Sequence, residues 1–138
     1  MACIFCEIVT GLAGAELVHR DEARLVILDR APLFPGHCLV LPAEHYAELA
    51  DCPPELYASL SELAQRVALA QRRALGCDGN FVAANAVISQ SVPHLHIHVV
   101  PRRRKDGLHG FFWPRTRYGS PEEAASVAAS LREALAPS

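Results

Sequence analysis

Apolar and polar positions along this chain follow two periods, and the changes between them mark the elements. Residues 15–20 and 23–29 form two short runs around Asp21-Glu22, and Arg24-Leu25-Val26-Ile27-Leu28 is almost wholly apolar. Two strands are predicted there, the second central in its sheet. Ala31-Pro32-Leu33-Phe34-Pro35-Gly36 reads as a turn, and His37-Cys38-Leu39-Val40-Leu41-Pro42 as a third strand ended by proline. The period then lengthens: Leu56, Leu60, Leu63, Val67, Ala70 and Ala74 recur at helical spacing. Asp51-Cys52-Pro53-Pro54-Glu55 supplies the start of this helix and Gly76 its stop. Such a helix is expected to cover one face of a sheet. Phe81-Val82-Ala83-Ala84 is predicted as a fourth strand. Ser120-Pro121-Glu122-Glu123 is a capping box that opens a last helix, over about 121–135. Strands that run together, interrupted by one helix, predict an α+β fold with a mainly antiparallel sheet of five strands.

The fifth strand carries the chemistry. In His94-Leu95-His96-Ile97-His98-Val99-Val100 the period is strictly two, so three imidazoles share one face and three aliphatics the other. Burying each aliphatic is worth roughly 1.5–3 kcal/mol. That fixes the register, because a slip of one residue would exchange the two faces. Three readings compete. The histidines stand on a solvated face by coincidence; or they hold a catalytic metal, as His-x-His on a strand can; or one is a neutral imidazole nucleophile. Gln90 and Ser91 precede the run, and an amide and a hydroxyl are donors suited to an anionic oxygen such as that of phosphate. A nucleophilic ring also needs its second nitrogen to donate elsewhere, and a nearby backbone carbonyl can accept.

Composition narrows the class. A chain of 138 residues, 51% of them hydrophobic, suits one domain with its own core. The net charge of −2 argues against a general nucleic-acid binder, and no apolar run reaches the length of a membrane span. The opening stretch Met1-Ala2-Cys3-Ile4-Phe5-Cys6-Glu7 lacks the basic and apolar regions of an export signal. Cys3, Cys6, Cys38, Cys52 and Cys77 are therefore expected to be reduced thiols of a cytoplasmic protein.

The run from Gln90 to Val100 resembles the signature of the histidine triad (HIT) family, with the pattern His-Φ-His-Φ-His-Φ-Φ. Leu28-Asp29-Arg30-Ala31-Pro32, Pro35 to Pro42, Ala43-Glu44-His45 and Cys3-Ile4-Phe5-Cys6-Glu7-Ile8 are similar to it as well, in the usual order. The resemblance implies a HIT-like fold over residues 1–138, a homodimer, and a C-terminal segment, 106–138, that serves the dimer or the substrate pocket. It implies hydrolysis or transfer of nucleotides at the α-phosphate through a nucleotidyl-histidine. The expected substrates are purine nucleoside phosphoramidates or AMP esters, with dinucleoside polyphosphates as the alternative. A nucleotide-binding regulatory protein with little turnover is the alternative of another class.

By the same resemblance His96 is the nucleophile, His98 the donor to a non-bridging oxygen, and His94 the first member of the triad. Ser91 contacts the phosphate and helps protonate the leaving group, and His37 supports the triad from behind. Asp29, by itself a plausible turn aspartate, would hydrogen-bond the ribose hydroxyls. Ile4, Phe5, Ile8 and Ile27, by themselves plain core, would hold the base. Gln90 joins the nucleotide-binding set. Members usually carry a polar amide on the strand before the triad, but the common spacing lands on Ala83. A loop shorter by two residues would put Asn85 in that role, and Ser89 stands where many members have glycine.

Cys3-x-x-Cys6 alone is half of a tetrahedral zinc site or simply two free thiols. The resemblance adds His45 and His94 and implies a structural zinc that pins an N-terminal strand to the triad strand. Arg102-Arg103-Arg104-Lys105 reads either as a solvated charge run or as a clamp for polyphosphate. The aromatics Phe111-Phe112-Trp113 are expected in a core or an interface, and His19 and His109 at the surface.

Overall fold

The structure, a computed structural model, describes residues 2–108 and 114–137. His109 and the aromatics Phe111 to Trp113 lie outside the described residues. In chain order the elements are α1 (Ile4–Thr10), β1 (Leu17–Arg20), β2 (Arg24–Leu28), β3 (Cys38–Pro42), α2 (Pro54–Leu75), β4 (Gly79–Ala83), β5 (Ile97–Arg102) and α3 (Pro121–Leu135). The five strands form one sheet in the order β1-β2-β3-β5-β4, and every neighbouring pair is antiparallel. The predicted α+β class and the two predicted helices are present.

The sheet is covered on both faces, which explains why β3 is buried at all five positions. On one face α2 lays Leu60, Leu63, Ala64 and Val67 against Val26, Val40, Leu95, Ile97 and Val99. Its prolines sit at the start, where a missing N–H costs nothing, and Gly76 ends it in the left-handed conformation at φ 65°. On the other face Phe5 packs with Leu25, Ile27, Leu39 and Leu41, and Ile4, Ile8 and Val9 close over them.

That second cover is α1, and it corrects the expected N-terminal strand. Cys3 is its N-cap, with its sulfur accepting from Cys6 N–H at 3.4 Å, and Gly11 ends it at φ 83°. Cysteine is not among the usual capping residues, so the start signal is hidden. Ile4, Phe5 and Ile8 lie on one helical face, the spacing a strand would not give.

The fifth strand also begins later than the alternation predicts. His94 and His96 precede β5, where His94 N–H bonds Val92 O and Leu95 N–H bonds Tyr46 O instead of a sheet neighbour. The period-2 facing survives all the same: Leu95, Ile97 and Val99 enter the core on the α2 side, while the rings of His94 and His96 meet Phe5 on the other.

Residues 1–106 and 107–138 fall into two compact units. In the second, Ser120 caps α3 by accepting from Glu123 N–H at 3.1 Å. The Glu123 carboxylate reaches back to Gly119 N–H at 2.6 Å, one residue before the cap. No helix among the described residues is long and apolar enough to cross a membrane.

Candidate active site and metal centre

The three histidines lie against the face that α1 covers. Phe5 meets the rings of His94 and His96 edge-on, with centroids 5.6 and 5.1 Å away. His94 and His96 are buried, so the triad does not stand on a solvated face.

Each imidazole has a partner that fixes where its proton sits. His96 Nδ1 is 2.7 Å from the carbonyl oxygen of His94, which can only accept. The proton is therefore on Nδ1, and Nε2 presents a lone pair. His94 Nε2 is 2.9 Å from Pro42 O and carries its proton there, leaving Nδ1 bare. The third ring, His98, is fixed from one layer back. Leu33 N–H donates to His37 Nδ1 at 3.1 Å, so the His37 proton is on Nε2. That group donates to His98 Nδ1 at 2.9 Å, and the His98 proton is left on Nε2. The result is a bare nitrogen on His96 beside an N–H on His98, with the two rings 4.9 Å apart.

Both rings line a cavity of about 320 Å³, together with Ser91, Asp29, Ile4, Phe5, Ile8 and Ile27. That volume is at the lower end of small-molecule pockets. Ala13, Gly14, Ala15, Arg30 and Val92 also line it. Small residues of a loop announce no such position in the sequence. Asp29 Oδ1 accepts from Ala31 N–H at 2.9 Å, and Oδ2 lies 3.7 Å from His37 Nε2. The aspartate is thus a turn former and a wall of the cavity at once.

Two residues expected in the nucleotide site do not line this cavity. Gln90 is engaged by the chain: Nε2 donates to Ala47 O at 2.7 Å and Oε1 accepts from Val87 N–H at 3.2 Å. Asn85 is exposed and donates to Ser89 O at 3.0 Å. Both shape the loop over 86–92, where Val87 and Ser89 hold positive φ of 68° and 61°. Left-handed backbone at Ser89 gives a physical reason for glycine at that position. At its first two residues the basic run is engaged by the chain itself, with Arg102 half-buried and Arg103 exposed. Arg102 pairs with Asp106 at 2.6 Å, and Arg103 donates to Leu75 O and Gly76 O at the carboxyl end of α2, at 2.6 and 2.9 Å. His19 pairs with Asp21 at 2.9 Å.

Burial sets the charge state of the pair behind the cavity. His98 is pushed down to about 4, chiefly by burial and then by neighbouring His96 and His37, with Asp29 opposing. Burial lowers His37 in the same way, again against Asp29. Both are neutral near pH 7, as the tautomer chain requires. A histidine held below its ordinary value stays unprotonated in the fold while the unfolded chain takes up a proton below about pH 6.5. Its stabilising share is complete above that pH and disappears as pH falls towards 4. Urea unfolding is therefore expected to show a midpoint that falls steadily from pH 7 to pH 5, with a shallower fall in His98→Asn. Equal slopes in the two proteins would remove His98 as the cause.

Cys3, Cys6, His45 and His94 form a second constellation, their ligand atoms all within 4.8 Å of one another. The bare Nδ1 of His94 lies 3.5 Å from Cys3 Sγ, 3.6 Å from Cys6 Sγ and 3.2 Å from His45 Nδ1. Cys6 Sγ is 3.3 Å from His45 Nδ1. A tetrahedral ion bonded at about 2.3 Å to sulfur and about 2.0–2.1 Å to nitrogen separates two nitrogens by about 3.3 Å, and a nitrogen from a sulfur by about 3.5 Å. The four separations measured to His94 Nδ1 and between Cys6 and His45 match those that zinc requires, and the remaining two stay within 4.8 Å. Burial, and then Cys3 beside it, pushes the Cys6 thiol above its ordinary value, a cost that a cation between the sulfurs reverses.

Asp29, His37 and His98 also bring three donors within 4.8 Å. Here the fit fails. Leu33 N–H occupies His37 Nδ1, so the nitrogen facing His98 keeps its proton and has no lone pair to offer a metal.

Comparison with known proteins agrees with this geometry. The HIT domain model matches residues 12–105. An uncharacterised HIT-like protein of Mycobacterium tuberculosis is 39% identical, over 99% of this chain and 94% of its own. An adenosine 5'-monophosphoramidase of Schizosaccharomyces pombe is 33% identical, over 92% of this chain and 93% of its own. An adenylylsulfatase of Arabidopsis thaliana is 35% identical, over 77% of this chain and 55% of its own. Among solved structures, a HIT family protein of Bacillus subtilis superposes with a TM-score of 0.89 at 30% identity, covering 100% of both chains. A zinc-bound histidine triad protein of Mycobacterium smegmatis gives 0.75 at 40% identity, covering 97% of this chain and 98% of its own. The chain belongs to the HIT family.

Proposed function

We propose that this protein hydrolyses or transfers nucleotides at the α-phosphate through a nucleotidyl-histidine, acting on purine nucleoside phosphoramidates or AMP esters. One observation carries the reading: the bare Nε2 of His96 and the N–H of His98 line one cavity beside Ser91. The Nε2 lone pair forms a bond to phosphorus while the bond to the leaving group breaks. Ser91 hands its proton to the departing atom. His98 N–H donates to a non-bridging oxygen, where negative charge gathers, without reorganising. The positive charge left on His96 is held by the His94 carbonyl at Nδ1. Water then attacks phosphorus and gives one proton back to Ser91, the phosphorus–nitrogen bond breaks with its electron pair returning to Nε2, and the imidazole and the hydroxyl are both restored.

The apolar wall of Ile4, Phe5, Ile8 and Ile27 suits a flat base, and Asp29 can accept from both ribose hydroxyls. Relatives named for a phosphoramidase and an adenylylsulfatase activity support a compact leaving group. Engagement of Arg102 and Arg103 within the chain removes two cations from a polyphosphate clamp. We assign zinc to Cys3, Cys6, His45 and His94. When bound there it supplies a closed, four-ligand cross-link. We further assign the homodimer contact to the edge strand β4, where Val82 is half exposed.

Quenched turnover with an adenosine phosphoramidate labelled at the α-phosphorus tests the reading. Label is expected on the protein, acid-labile and confined to the peptide that holds His96. Tight AMP binding with no labelled protein would mark a binding module instead.

A further inference from the structure

We infer that Gln71, on the far side of the sheet from the cavity, is a positioning residue that holds the His37–His98 pair in register. The inference concerns the site to which the proposed activity was assigned. Its structural part stands without that assignment.

Gln71 projects from α2 and is only 4% exposed, in the layer between the helix and the sheet. Its Nε2 donates both protons, one to Gly36 O at 2.9 Å and one to Val99 O at 2.8 Å. Its Oε1 accepts from Asn80 Nδ2 at 2.7 Å. Two carbonyls on one side and an N–H on the other leave a single orientation for the amide. Asn80 is held in turn, with Oδ1 accepting from Arg72 Nε at 2.8 Å and Nδ2 also reaching Ala68 O at 3.3 Å.

The two carbonyls are placed tellingly. Gly36 immediately precedes His37, and Val99 immediately follows His98. The β3–β5 ladder registers Cys38 with Val99, Leu39 with His98 and Val40 with Ile97. His37 lies one residue beyond its last pair. There the backbone of His37 is held from the β2 side and the turn, by Asp29 N–H on its carbonyl at 2.9 Å and by its own N–H on Phe34 O at 3.0 Å, and no ladder bond ties it to β5, although its side chain must meet that of His98 at 2.9 Å. One Gln71 amide bridges the strand end, tying the residue before one imidazole to the residue after the other. Gly36 holds φ 97°, a conformation that residues with a side chain rarely adopt, and a Cβ there would also meet the end of the Leu75 side chain, so glycine suits the close approach that this bond needs. A loosened bridge lets His37 drift from His98, and the proton on His98 is then free to occupy either nitrogen.

The test is Gln71→Met, which keeps the length and apolar stem and removes both donors, with Asn80→Ser as a milder second variant that frees Oε1. Histidine nitrogen NMR reads the tautomer without any substrate. His98 is expected to be a single Nε2–H form in the parent protein and a mixture of tautomers in Gln71→Met. Asn80→Ser should move the same signals less, in the same direction. Should Gln71→Met not fold, the Asn80→Ser spectrum decides. With an adenosine phosphoramidate, kcat is expected to fall on the order of 10- to 100-fold, with KM within about twofold of the parent. Adding one donor back with Gln71→His should restore part of kcat. If the glutamine were purely stabilising, its replacement would lower Tm and leave the His98 signals unchanged. Parent-like His98 signals in the folded variants overturn the inference, whatever the turnover. Absence of turnover in the parent protein together with shifted signals would retire the proposed activity and leave the inference standing.

Discussion

His96→Gly is expected to keep nucleotide binding and to lose turnover by about 10⁴-fold or more, a loss of the size seen when a nucleophile is deleted. Neighbouring imidazoles cannot take over. His94 has one nitrogen on Pro42 O and turns the other to the thiols, away from the cavity. His98 faces the cavity with an N–H, which cannot attack phosphorus. The flanking groups survive the substitution, so the phosphate still finds His98 and Ser91, and affinity for AMP should change little. Glycine also leaves a ring-sized void between Phe5 and His98, where free imidazole can enter. Added imidazole is therefore expected to return part of the activity in a saturable way. Calorimetry with AMP and initial rates with a fluorogenic adenosine phosphoramidate measure both arms. A variant that turns over at near-parent rates would remove His96 from the chemistry.

Removal of the metal is the second large effect. Chelation, or Cys3→Ser with Cys6→Ser, is expected to lower Tm by about 10–20 °C, equivalent to roughly 3–5 kcal/mol. The core on the α2 side of the sheet holds none of the four ligands and should keep the sheet folded. On the other side the cover is α1, a seven-residue helix short of what forms alone, so it depends on its packing over Leu25, Ile27, Leu39 and Leu41 and on the metal site beside it. The effect on activity is indirect and passes through one residue. The His94 ring is a ligand candidate, and its carbonyl orients His96. Disorder at the ring therefore reaches His96 through a single backbone unit. Turnover at a temperature well below the lowered Tm is expected to drop about tenfold and to recover with added zinc. Complete loss of chemistry at an unchanged Tm would identify a catalytic metal and overturn the structural assignment.

The residues divide clearly into those whose roles could be read in advance and those whose roles could not. Alternation from His94 to Val100 announced a shared imidazole face, because side-chain facing depends only on an extended backbone. It overstated the strand, since His94 N–H and Leu95 N–H donate to Val92 O and Tyr46 O and not to a sheet neighbour. The α1 helix was hidden by a sulfur cap, although Ile4, Phe5 and Ile8 carried the right spacing. Asn85 and Gln90 have the chemistry of ligand donors, and the loop takes both for itself. The proton assignments of His96 and His98 rest on the His94 carbonyl and the Leu33 amide, and main-chain groups have no letter in a sequence. Gln71 is one polar residue on an otherwise apolar helix face, a signal present in the string but with no partner named there.

The sulfur-capped helix has a bearing on how the chain is made. Cys3 precedes His94 by 91 residues, so α1 leaves the ribosome long before the imidazole it must meet. Until most of the polypeptide has followed, the two thiols are exposed nucleophiles on a nascent chain, open to stray metals and oxidants. Closure of so wide a loop comes late, since its entropy must be overcome before the distant contact can form. The floor of the pocket can thus assemble first, and the wall that completes it arrives as one of the last acts of folding.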